Sequence, residues 1–152
     1  MTTDLATDLS IYAARYHGDN GINAQPTDHG LLVVQAGEVG CLRMPAPLGQ
    51  RVADELAHRG LTTPVIVNEA SRTWTVLTQR PEREYGLLHD PLFVYRVKRS
   101  VLGTQITVPG PDDPARRWHI APDGHHRLSF ELVADITLAQ AQAMGRSAAG
   151  AA

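Results

Sequence analysis

The chain has 152 residues, 43% of them hydrophobic and 20% charged, with a formal net charge of −2. That size and composition suit one self-folding soluble domain, and the mild acidity leaves no global positive field to recruit nucleic acid or an anionic membrane. Cys41 is the single cysteine, which excludes an internal disulfide or a multi-thiolate metal site within one chain and makes a reducing cytoplasm the expected location.

The opening MTTDLATDLS carries acids instead of the basic region of a signal peptide, and no apolar run approaches the roughly 18 residues of a membrane span. Neither secretion nor membrane contact is expected. Leu5, Leu9, Tyr12 and Ala13 recur at helical spacing, with Thr3 or Thr7 as N-cap, so residues 4–16 read as an amphipathic helix that His17-Gly18-Asp19-Asn20-Gly21 ends. LLVVQ (31–35) and EVGCLRM (38–44) are β-prone runs around Ala36-Gly37, a hairpin or one bent strand. PAPLGQRVADELAHRG follows, with Leu48, Val52 and Leu56 every fourth residue and Gly60 just past the end, the clearest helix in the chain.

Pro64-Val65-Ile66-Val67 and RTWTVLT (72–78) read as strands joined through Glu69-Ala70-Ser71, with Trp74 and Val76 on one face. PLFVYRVKR (91–99) and TQITVP (104–109) read as a further strand pair joined near Gly103, and PGPDDP (109–114) as a polar turn. In RLSFELVADI the set Leu128, Phe130, Leu132, Ala134 and Ile136 alternates as in a half-buried strand, and only Val133 breaks the pattern. TLAQAQAM (137–144) reads as a last helix. The expected fold is therefore α+β: a single domain over residues 1–145, with helices packed on a mainly antiparallel sheet, and a flexible tail over 146–152.

GxSxG, P-loop, GxGxxG and HExxH motifs are all missing, so hydrolase, NTPase and dinucleotide chemistry have no motif support. His125 and His126 are adjacent on an extended segment and point apart, which serves one metal badly; a solvated turn is the expectation. Cys41 lies in an apolar run and reads as a small buried hydrophobe. His119, beside Trp118, reads as a packed imidazole, with an enzyme of unrelated class using His119 with Asp135 or Glu131 as the outlying alternative. In VYRVKRS, Arg96 and Lys98 would share one strand face and Tyr95 and Arg99 the other. Arg116, Arg117 and Trp118 would lie nearby, a set suited to phosphate contact and base stacking with single-stranded nucleic acid or a nucleotide. The competing reading is a solvated edge strand kept from aggregating by its charges.

The order of the strand running into MPAPLG, then GLTTPVIVNEASRTWTVLT, GTQITVPGPDD and RRWHIAPDG, over residues 30–122, resembles the core of the bacterial primase-polymerase (prim-pol) domain family. The resemblance rests on order and spacing. It implies a first strand-end motif Asp-x-Asp that binds divalent metals, a His contacting nucleotide phosphates, a third Asp, and a Pro-rich turn. These map to Gly40 and Leu42, Trp74, Tyr95, and Pro109-Gly110-Pro111 respectively, so only the turn survives. Residues i and i+2 of a strand share a face, which lets two carboxylates converge on metal; Gly40 and Leu42 supply none, and Glu38 alone is a poor two-metal site. The expectation is a degenerate, non-catalytic prim-pol-like domain with no metal and no cofactor. It would act as a binding or regulatory module, first through contacts with another protein and alternatively through nucleic acid at the Arg/Lys patch.

Overall fold

The computed structural model describes residues 2–83 and 90–151, with side chains described for 8–83 and 90–146. Helix α1 (Thr2–Asn20) begins ahead of both threonines considered as its cap, and the Leu5 side chain lies outside the described residues. Its C-terminal carbonyls are bonded by a loop distant in sequence: His125 Nε2 lies 3.3 Å from the Gly18 oxygen and Arg127 Nη1 donates to that of Asn20 at 3.0 Å. Basic groups suit this end of a helix, where the backbone dipole is negative.

Short strand β1 (Gln25–Pro26) is followed by β2 (Leu32–Gln35) and β3 (Val39–Pro45), which runs directly into α2 (Ala46–His58). Leu48, Val52 and Leu56 of α2 are buried, as their spacing requires. Gly60, at φ +69°, ends the helix: its N–H bonds the Ala57 oxygen and the Leu61 N–H reaches back to that of Leu56, the paired bonds of a Schellman motif. Strands β4 (Val65–Asn68) and β5 (Thr73–Gln79) form the expected hairpin, with Trp74 and Val76 on the same core face.

Residues 91–99 correct the expected strand. Asp90-Pro91 opens a 3-10 turn, Phe93–Tyr95, in which the Asp90 Oδ1 accepts the Leu92 N–H at 3.0 Å, and Arg96 then takes a left-handed φ of +63°. Only Lys98–Arg99 remains extended, as β6, and it pairs with β3 rather than with 104–109. β7 (Gln105–Val108) instead pairs with β2, and β8 (Arg116–Ile120) with β4. The last expected strand is also corrected: α3 runs Phe130–Ala151. Its buried residues Phe130, Val133, Ala134, Ile136, Thr137 and Ala141 fall at i, i+3, i+4, i+6, i+7 and i+11, one broad helical stripe that includes the Val133 that broke the alternation. The helix backbone continues through residues 146–151, which were expected as a tail.

All pairings between strands are antiparallel, in two sheets of order β1-β2-β7 and β6-β3-β5-β4-β8. The fold is α+β as expected, but β2 and β3 are neither a hairpin nor one strand. They belong to different sheets, because the Ala36 N–H bonds the Thr104 oxygen and the Gly103 N–H that of Ala36, tying β2 to β7. The five-stranded sheet has two unlike faces. Leu42, Met44, Val65, Val67, Trp74 and Val76 pack under α2 and α3. Cys41, Ile66 and Leu77 meet Leu32, Val34, Ile106 and Val108 of the small sheet, together with Leu9 and Tyr16 of α1. Among the described residues no helix is long and apolar enough to cross a membrane.

Candidate functional site

The small sheet and α1 cover only part of the second face of the large sheet. Beyond Cys41 the alternation of β3 brings Arg43 onto that face, and Arg43 is the one exposed position in the strand. Its cross-strand partners are Lys98 on β6 and Thr75 on β5; one residue pair further along, Asn68 on β4 stands opposite Thr73 and Arg116. Directly paired residues share a face with Cβ atoms about 4.5–5.5 Å apart, so Lys98, Arg43 and Thr75 form a continuous row. These residues, with Ile66 beneath them and the edge strand β7 beside them, line a cleft of about 200 Å³.

The charges in the cleft are unequal in their company. Arg116 donates from Nη1 to Asp113 Oδ2 at 3.2 Å, and that carboxylate is itself held by the Ala115 and Arg116 N–H groups. Arg43 and Lys98 have no acidic partner among the described residues, and no carboxylate lines the cleft. Two like charges directly opposite on neighbouring strands destabilise a sheet by an amount comparable to the roughly 0.2–1 kcal/mol that a favourable pair contributes. Edge protection accounts for Lys98, because β6 is an edge strand, but not for Arg43, because β3 lies between β6 and β5. Next to Arg43 the Thr75 hydroxyl has no side-chain partner among the described residues, and Asn68 uses only its Oδ1, to accept the Ser71 N–H at 3.1 Å. At the floor, burial pushes the Cys41 thiol up to about 12, against the opposing pull of Arg43 and the Ser100 hydrogen bond. It is a neutral, packed thiol and no nucleophile.

The seven residues expected to form one basic and aromatic patch are distributed over several environments. Lys98 and Arg116 reach the cleft. Arg99 points to the opposite face, where Nε meets Asp90 Oδ2 at 2.7 Å and the guanidinium lies 5.6 Å from the Phe130 ring centroid. Arg117 is also on that opposite face, paired with Glu69 at 3.0 Å. Arg96 is exposed in its left-handed turn and Tyr95 packs half-buried against the helix-side core. The Trp118 indole N–H donates to the Tyr16 hydroxyl at 3.0 Å, and that hydroxyl donates to the Pro109 oxygen at 2.6 Å. The two rings meet edge-on, 6.0 Å between centroids, and burial raises the Tyr16 pKa. Trp118 is thus a strut between β8 and α1.

Gly40, Leu42 and Trp74, where the prim-pol resemblance maps its metal and phosphate residues, lie on the helix-covered face: Leu42 is fully buried, and a Cβ on Gly40 would stand 2.6 Å from the Gln79 oxygen. The site that does face solvent on β3 is one residue out of step, at Arg43. The His119 ring packs on Trp74 with 4.7 Å between centroids, Glu131 Oε1 accepts the Glu82 N–H, and among the described residues no hydrogen bond or ion pair joins His119 to Glu131 or Asp135. His125 and His126 bond the separate carbonyls of Gly18 and Thr62; they lie in the expected turn, closed by an Asp123–His126 bridge, and not on an extended segment. Among the described residues no group of three or more His, Cys, Asp or Glu is placed to hold a metal. A second cavity, about 500 Å³, is bounded by Arg80, Arg83 and Arg99 with Glu82 and Asp90, and there Arg99 is paired with Asp90. Arg43 escaped the sequence reading because it is a lone charge in an apolar run; that same isolation was the signal that could have found it. Comparison with protein-family models, with curated proteins and with solved structures finds no match.

Proposed function

We propose that this chain is a non-catalytic binding module that takes a phosphate-bearing ligand in the cleft between its two sheets. The observation that carries the reading is the cross-strand pair Arg43 and Lys98: two cations held side by side on a sheet face, without a carboxylate among the described residues of the cleft they line. A phosphate between them would turn a like-charge cost into two charge-assisted hydrogen bonds, the stronger kind. Arg116 adds a third positive group at the far end of the cleft, oriented by Asp113. The prim-pol-like relationship enters as the origin of the scaffold, supported by β3 running straight into α2 and by the β4–β5 hairpin that follows. The non-catalytic part of the proposal rests on Gly40 and Leu42, which offer no ligating oxygen and lie under the helices.

The test is isothermal titration of the whole chain with pyrophosphate at low and moderate salt. Binding that weakens as salt rises and is lost in Arg43→Thr/Lys98→Thr is the expected result. Equal binding by the double variant would overturn the reading. A second reading, docking of another protein, is supported by Phe93, Val94, Val101 and Leu102, which are 58%, 76%, 51% and 62% exposed within ten residues of chain. Retention of a partner by Val94→Asp/Leu102→Asp would remove it.

A further inference from the structure

The geometry points to a ligand class for this cleft: a small phosphorylated polyol, a sugar phosphate in chemical terms, and not a nucleobase or a nucleic-acid strand. The inference rests on the anion-binding reading above and adds three observations. The first is size. At about 200 Å³ the cleft falls below the roughly 300 Å³ at which pockets begin to enclose drug-sized ligands. A phosphate with a short chain of hydroxylated carbons fits such a space.

The second observation is the wall chemistry. Among the described residues no aromatic side chain lines the cleft, and Tyr95 and Trp118, near its cations in sequence, are committed elsewhere, Tyr95 against the helix-side core and Trp118 to Tyr16. Single-strand binders draw about 1–3 kcal/mol per base from aromatic stacking. This cleft has no such platform. Third, the groups next to the cations are neutral and can both give and receive hydrogen bonds. Thr75 stands directly opposite Arg43, and the Asn68 amide nitrogen, which has no partner among the described residues, lies one pair further along the same face. On the far side, residues 105–107 of β7 form the edge of the small sheet, and an edge strand presents main-chain donors and acceptors. Arg43 and Lys98 at one end, with hydroxyl-matching groups between them and the Asp113-paired Arg116, match a phosphate with vicinal hydroxyls attached.

Titration of the whole chain with three probes tests this: ribose 5-phosphate, inorganic phosphate, and a ten-residue oligothymidylate without a terminal phosphate. Ribose 5-phosphate is expected to bind about fivefold or more tightly than inorganic phosphate, the return from one or two added hydrogen bonds. Thr75→Val should narrow that margin, weakening ribose 5-phosphate more than inorganic phosphate. Ribose 5-phosphate binding no tighter than inorganic phosphate, or the oligonucleotide binding tighter than both, would overturn the ligand class while the anion-binding reading stood. Failure of all three probes would overturn both.

Discussion

The two faces of the five-stranded sheet are built from the same strands and do opposite things. On the helix side Leu42, Met44, Val65, Val67, Trp74 and Val76 are apolar and buried, and the packing is close enough that a Cβ on Gly49 of α2 would stand 2.4 Å from the Trp74 Cβ. On the other side the same strands offer Cys41, Arg43, Thr73 and Thr75, apolar where the small sheet covers them and cationic or hydroxylic where it stops. The difference teaches where selection for stability ends on this sheet: one face is filled to the limit of close packing, while the other tolerates a like-charge pair that folding alone would not favour.

Substitutions should separate the faces. The largest loss is expected from Leu56→Ala, about 2–5 kcal/mol in a urea unfolding experiment, because Leu56 is fully buried in the helix-side core. A loss below about 0.5 kcal/mol, typical of surface changes, would mean that α2 buries another face. Gly49→Ala should cost about 1–3 kcal/mol by overpacking against Trp74, although alanine normally favours a helix; a gain in stability would show that α2 does not approach β5 this closely.

A smaller effect is expected with pH on the cleft side. The Cys41 thiol is raised from its ordinary value of 9.0 to about 12 in the folded chain. Its contribution is therefore fully present below pH 9 and is lost as pH climbs from 9 towards 12. At pH 10 the loss is on the order of 1 kcal/mol for a single group shifted this way. Cys41→Ala should flatten the stability curve between pH 8 and 10 by that much, whatever its effect on absolute stability. An unchanged slope would place the thiol in contact with water. The smallest effect on folding is expected from Arg43→Thr, within about 0.5 kcal/mol of the parent in either direction. If Arg43→Thr destabilised as a core substitution does, the contrast between the faces would fail.

Much of this was legible from the chain. The α2 helix and its Gly60 ending, and the Val65–Asn68 and Thr73–Gln79 hairpin, follow from local periodicity and turn chemistry, and nothing distant overrides them. Residues 128–136 were misread because a short apolar alternation fits a strand until one exception is weighed; buried Val133 was that exception, and the helix beyond it was already legible. At 91–99, β-prone residues outweighed the Asp90-Pro91 turn signal, yet a capping carboxylate at Asp90 and an ion pair to Arg99 hold the turn. The candidate site was half legible. Lys98 and Arg116 stood out as basic residues, but their common surface depends on the β6-β3-β5-β4-β8 order, which joins segments far apart in sequence. Arg43 enters the site only through that order.

The central claim, that Arg43 and Lys98 serve a ligand and not the fold, is tested most directly by one stability comparison. The parent and Arg43→Thr/Lys98→Thr are unfolded in urea, each with pyrophosphate and with chloride at matched ionic strength. In chloride the double variant should be as stable as the parent or slightly more so, since its like-charge pair is gone. In pyrophosphate only the parent should gain, by about 2.7 kcal/mol at a ligand concentration one hundred times Kd. A double variant that loses more than about 1 kcal/mol in chloride, and gains as much from pyrophosphate as the parent does, would contradict the account.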